Sequence, residues 1–437
     1  LKKIKLLVAA LALVAAGCAS KESNEFSKVA GDLDAQLSAA HTEGLPSTEA
    51  ELLGDPIKAE ENAAPLYVQA ASLLNAAPHV TQQMKEALVA VPGSPNWEAG
   101  KSVIRQIQPS LDLAAKAAAK PHCQFKADYG EGLSLQIPEF DDIRMIANTF
   151  CWRARNQAMA GQYADAVKSV CTAWRIGDQV GEQPMLFSYL VESSIKATAN
   201  KNIELICSDA NGAPQLLLSL KNAEPQMAKL PSLKRAVEGD YVLMANSFKT
   251  KTLREILLDS GAVAADDVIK TFPKLDDKTL KDAFFDRCVE LDRQVYKLLS
   301  DTSISVTKLD DLILAACDHK PFADRTDIFS NMLISQLYPN VAGQVSRLTT
   351  WRYLVEDGVS ALQARALTGN FPNTIPTHND PYTTQPLTYH HTGSSFTISS
   401  SGPTELRGHV NPAAFTFAFP YRTPGSGPIL KPTPRYK

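Results

Sequence analysis

Between Phe140 and Val180 the sequence carries two apolar stripes separated by Gly161-Gln162-Tyr163. Asp141 or Asp142 opens the first, which runs through Ile143, Ile146, Ala147, Phe150 and Ala154. Ala166, Val170, Ala173 and Trp174 form the second. Spacings of three and four residues place each set on one face of an α-helix, so the segment predicts two helices folded back on each other. The alanines let the two axes approach closely, and Tyr163 fills the turn. A chain built around such a unit is constrained to be a helical-hairpin protein.

The rest of the chain up to Thr368 extends that pattern. Phe26, Val29, Leu33 and Leu37 make a stripe near the N-terminus, and Thr48, three residues before Glu51, has the spacing of a helix N-cap. Helices are predicted around Glu61–Ala77, Val80–Val91 and Ser102–Lys120, then over Met185–Cys207, Gln215–Ala228, Leu233–Leu258, Leu280–Leu299 and Ile328–Leu367. Pro and Gly punctuate the joints, as at Pro92-Gly93 and Gly212-Ala213-Pro214. From Thr368 onward Pro, Thr, Ser, Gly and aromatic residues dominate. Leu387-Thr388-Tyr389 and Phe396-Thr397-Ile398 alternate around Thr392-Gly393-Ser394-Ser395, which predicts a β-hairpin, and Phe415–Phe419 offers a third short strand. The expected fold is mainly α, an irregular helical-hairpin array with a small C-terminal antiparallel β-sheet. Its expected divisions are a leader over 1–17, an N-terminal helix within 18–43, helical hairpins over 44–367, a β region over 368–419 and a Pro-rich disordered tail over 420–437.

The N-terminus speaks about location. Lys2, Lys3 and Lys5 precede the apolar run Leu6–Ala16, and Ala15-Ala16-Gly17 precedes Cys18. A basic stretch, a short apolar stretch and small residues before a cut make a secretory signal, too short to span a bilayer at about 20 residues. The cysteine after Ala-Ala-Gly resembles the bacterial lipobox, which implies diacylglyceryl transfer to the Cys18 thiol. By the same resemblance Ala19, in place of Asp, implies the outer membrane, with the protein facing the periplasm. Loss of the three lysines moves the formal charge from −3 to −6. A mildly acidic chain with no basic stripe is a poor partner for nucleic acid. The remaining cysteines, Cys123, Cys151, Cys171, Cys207, Cys288 and Cys317, include no C-x-x-C. In the predicted hairpin Cys151 and Cys171 lie at similar distances from the turn, which makes them the candidate disulfide pair, with two ordinary core thiols as the alternative.

Gly161, Tyr163, Ala166 and Ala173 resemble the second half of a tetratricopeptide repeat, although no 34-residue period recurs. Several ordered stretches, GLPSTEAELLGDP, ENAAPLYVQAASLL, AAKAAAKPHCQFKADYGEGL, NTFCWRARNQAMAGQYADAVKSVCTAW and LKRAVEGDYVLM, resemble a family of uncharacterised exported proteins from planctomycete-like bacteria. That family brings no activity with it. Gly369-Asn370-Phe371-Pro372, Asp380-Pro381-Tyr382 and Pro386-Leu387-Thr388-Tyr389 are similar to the globular end of type II secretion pseudopilins, where a long helix precedes a corner and a small sheet. The pseudopilin methylation motif is absent, and Gly402–Arg407 stands where its acidic calcium loop would be.

His378, Asp380 and His390, with His391 and His409 nearby in sequence, are the candidates for a metal site. Neighbours on a strand point to opposite faces, so His390 and His391 do not chelate one ion together. The alternative is surface histidines and an aspartate that caps its own turn. His122-Cys123 suggests a dyad, but adjacent side chains seldom align for proton transfer. Glu60-Glu61, Asp141-Asp142, Asp266-Asp267, Asp276-Asp277 and Asp310-Asp311 read as helix starts, where the dipole favours negative charge. No nucleophile elbow, metalloprotease, phosphate-loop or dinucleotide motif occurs. The sequence therefore implies a non-catalytic envelope scaffold without a cofactor, anchored to the membrane through Cys18 and meeting envelope proteins. An envelope hydrolase acting on peptidoglycan or glycans through carboxylates, or through a His/Asp site, is the alternative.

Overall fold

The computed structural model describes residues 32–259, 276–317, 338–402 and 415–420. Helix α1 covers 32–42. It is followed by α2 (Glu49–Leu53), α3 (Ala64–Asn75), α4 (Pro78–Leu88), α5 (Pro95–Gln106), α6 (Gln108–Ala118) and a 3₁₀ turn at Tyr129–Ser134. The central helices are α7 (Phe140–Met159), α8 (Tyr163–Val180) and α9 (Leu186–Asp209). After them come α10 (Pro214–Ala223), a 3₁₀ turn at Glu224–Met227, α11 (Leu233–Thr250), α12 (Leu253–Asp259), α13 (Asp277–Ser300), α14 (Val306–Cys317) and the 31-residue α15 (Tyr338–Thr368). Strands β1 (Thr388–Thr392), β2 (Ser395–Ser399) and β3 (Thr416–Phe419) form one antiparallel sheet in the order β1-β2-β3. The mainly helical fold with a small C-terminal antiparallel sheet is the one expected.

The hairpin of α7 and α8 packs along its length, with Ala147, Ala154, Ala166 and Ala173 all buried. Gly161 has φ of +76°, and the Gln162 N–H reaches back to the Gln157 carbonyl at 2.8 Å. That is a left-handed helix stop, which a side chain would strain. Thr48 caps α2, accepting from the Glu51 N–H, while Glu51 accepts from Ser47. The β-hairpin turns at Gly393-Ser394, pairing Thr392 with Ser395.

Several helices are shorter than their periodicity suggests. The run Ser102–Lys120 divides at Ile107, because Pro109 lacks an amide hydrogen and its ring excludes a continuous helix. Pro225 ends α10 in the same way, turning the predicted Gln215–Ala228 into a helix and a 3₁₀ turn. Leu233–Leu258 divides at Lys251, where Thr252 and Glu255 exchange side-chain-to-backbone bonds in a capping box that opens α12. Helix α14 is an addition to the expected set. Residues 328–337 of the predicted Ile328–Leu367 helix lie outside the described residues, as do Cys18, His409, Asp266, Asp267 and the tail from 421.

Helix α9 is the spine, packed on α7, α8, α11, α15 and β3. It buries Glu192, Lys196, Asn200 and Glu204, four polar residues at a spacing of four. They form one stripe directed into the protein rather than out to solvent. The Lys196 ammonium is wholly buried and lies 2.6 Å from Glu192, 2.7 Å from Asp178 and 2.8 Å from the Lys229 carbonyl. Trp174 presents its ring face at 5.3 Å. Burial pushes the Glu192 carboxyl up to about 7 despite Lys196, with the Asp178 charge adding to the rise. At the other end Glu204 accepts the Ala418 N–H at 3.0 Å, which fastens β3 to the spine.

Candidate functional site

Arg352, Val355, Glu356, Val359, Ser360 and Gln363 fall on one face of α15. That face looks across at Asn200 and Ile203 of α9, Leu220 and Lys221 of α10, and Glu224 and Met227 of the following turn. Between them lies a cleft of about 170 Å³, closed on one side by His378 from the loop after α15. Its walls are aliphatic and its rim carries paired charges. Lys221 meets Glu224 at 2.6 Å, and Arg352 meets Glu356 at 2.6 Å while also donating to the Ala228 carbonyl.

His378 is held by three residues of α15 spaced at 353, 356 and 357. Its backbone N–H donates to Asp357 Oδ2 at 3.0 Å and its Nδ1 lies 2.7 Å from Asp357 Oδ1. Nε2 lies 3.3 Å from Glu356 Oε2, and the ring stacks on Tyr353 at 4.2 Å. Burial raises the Asp357 carboxyl above the ordinary range, against the lowering effect of its bonds to His378. A histidine that relays a proton needs its far nitrogen on a nucleophile or substrate. Here both nitrogens face carboxylates, so the arrangement grips the loop and frames the cleft wall.

The metal candidates are not brought together. His378 pairs with Asp357 and Glu356, on opposite sides of its ring. Asp380 is buried and closes its own corner, accepting from Tyr382 N, Ser400 Oγ and Ser401 N. His390 stands on β1 opposite Thr397. Among the described residues no group of three His, Cys, Asp or Glu side chains is placed to hold an ion. Among the described residues Cys151 and Cys171 are both free: Cys151 is buried on α7, whereas Cys171 lines an outer groove with Ala115, Ala118 and Arg175. Similar distance from the turn does not make two residues face each other, because position around the helix decides it. His122 pairs with Asn62 in an isolated β-bridge, and Cys123 is a buried thiol pushed up by burial, its N–H on Glu182.

The acid runs divide. Asp141 and Asp142 sit in the first turn of α7, and Asp276 caps α13. Glu60-Glu61 lies in a turn just before α3. Asp310 lies inside α14, not at its start; its carboxyl turns inward to the Ser346 hydroxyl, and burial pushes it up to about 7. The cleft residues Asn200, Arg352 and Glu356, and Asp357 that holds His378, were not marked by any motif. The available signal was an acid pair in the middle of a helix, one turn after an arginine.

No family model, curated protein or solved structure matches the chain. No described helix is long and apolar enough to cross a membrane.

Proposed function

We propose that this chain is a lipid-anchored cell-envelope protein, held through Cys18 at the outer membrane and facing the periplasm. It acts as a non-catalytic interaction module whose cleft receives part of an envelope partner. The anchor is supported by the leader-like sequence before Cys18. The single observation supporting a binding role is the cleft itself, where aliphatic walls meet self-paired charges and His378 has a carboxylate at each nitrogen. Fractionation of cells carrying Cys18→Ala tests the anchor. The variant is expected to lose acylation and to leave the membrane; acylation that persists in Cys18→Ala would overturn lipid attachment at Cys18, and continued membrane association would mean that another attachment exists.

The hydrolase alternative has one observation in its favour: Glu224 and Glu356 line the same cleft. It requires the double variant Glu224→Gln/Glu356→Gln to abolish any glycan-releasing activity of the purified protein. Equal activity in wild type and variant would remove it.

A further inference from the structure

Along the polar stripe of α9, Glu192, Lys196 and Glu204 each have partners within the fold. Asn200 differs. It lines the cleft and is 2% exposed, yet among the described residues its Nδ2 has no hydrogen-bond partner. A buried amide donor left unpaired is costly, and a ligand oxygen at the inner end of the cleft would satisfy it. The walls next to it, Ile203, Leu220, Val355 and Val359, are aliphatic. The rim contributes two cations and two anions already paired with each other, so a ligand with net charge would have to break an ion pair to enter. At about 170 Å³ the space is below the roughly 300–1,000 Å³ typical of drug-sized ligands, which sets the scale of a single residue.

We propose that the cleft takes one aliphatic residue of a peptide, uncharged where it enters, with its backbone carbonyl accepting a hydrogen bond from Asn200 Nδ2 and its side chain against Ile203, Leu220 and Val359. This rests on the binding reading of the cleft and names the chemistry of its partner. The side chain supplies affinity through apolar burial, and the carbonyl fixes orientation by pairing with a buried donor that no described residue satisfies.

The test is calorimetric titration of the full chain with N-acetyl-leucine amide, N-acetyl-glycine amide, N-acetyl-leucine and free leucine. N-acetyl-leucine amide is expected to bind saturably, with the glycine analogue about tenfold or more weaker through loss of apolar burial. The anionic and zwitterionic forms are expected to be weaker than the neutral one. Asn200→Leu is expected to cost about tenfold in affinity, the loss of one hydrogen bond to a buried donor. Should that variant not fold, Ser360→Trp, at an exposed position on the rim, blocks the mouth and is expected to abolish binding. Equal affinity for the leucine and glycine amides, tighter binding of free leucine, or unchanged binding in Ser360→Trp would overturn the proposal. Absence of binding by any probe, with the protein still membrane-bound through Cys18, would overturn this inference and leave the anchor standing.

Discussion

Lys196 shows how a single residue can organise the interior. Its ammonium is shared by two carboxylates from α8 and α9 and by a carbonyl from the turn before α11. Removing the cation leaves two acids buried without compensation, so Lys196→Met is expected to cost about 3–5 kcal/mol in urea unfolding. Adding Glu192→Gln is expected to recover part of that loss; further destabilisation would mean that Glu192 has another role. The site also sets a pH dependence. Glu192 moves from 4.5 in its ordinary state to about 7 in the fold, so the folded state holds the proton longer than the unfolded chain. Its contribution is therefore fully present below about pH 4.5 and is lost as pH rises towards 7. Asp240 and Asp310, each raised to about 7 by burial, and Asp286, raised to about 6, act with the same sign. Urea unfolding between pH 5 and pH 7.5 is expected to show falling stability, with a shallower fall in Glu192→Gln. A fall of equal slope in both would remove Glu192 from the account. Tight packing at Gly181, where an added Cβ would stand 1.8 Å from Glu192 Oε2, keeps that carboxyl in place.

At the scale of elements, the joint between α15 and the β region depends on one histidine. His378→Ala removes the contacts to Asp357 and Glu356 and the stack on Tyr353. It is expected to cost about 1–3 kcal/mol and to accelerate proteolysis between residues 369 and 387. His378→Phe keeps the stack alone and is expected to fall between the two; a Phe variant as resistant as wild type would mean that the polar contacts contribute nothing. Local chemistry made many elements legible. Thr48, Gly161 and the Gly393-Ser394 turn act through hydrogen bonds within a few residues, which sequence spacing exposes directly. The breaks at Ile107 and Lys251 were harder to read, because apolar periodicity continues across each joint while Pro109 and the Thr252–Glu255 capping box do the stopping. Glu192, Lys196, Asn200 and Glu204 also misdirect a periodicity argument. A polar stripe at a spacing of four reads as a solvent face, but in α9 that stripe points inward while Phe187 and Ser194 are exposed.

For the whole molecule, the decisive packing is between the sheet and the helical body. Gly358 lies against the Phe417 ring, and an added Cβ would stand 2.7 Å from it. Phe417 and Phe419 are buried, and Phe396 stacks near both. Gly358→Val is expected to unseat the sheet from α15 at a cost of about 1–3 kcal/mol, read as a lower melting temperature with unchanged helical circular dichroism at 20 °C. Retention of the wild-type melting temperature would mean that the aromatic cluster yields without cost. The sequence by itself determined the helical class, the α7–α8 hairpin, the β-hairpin and its turn, because periodicity and turn chemistry act over a few residues. Only the tertiary structure decided which polar groups are interior, that His378 belongs to Asp357 rather than Asp380, and that Asn200 faces Arg352 and Glu356 across a cleft. Those pairings join residues far apart in the chain, and burial, which gives each charge or amide its energy, exists only once the surrounding helices have closed over it.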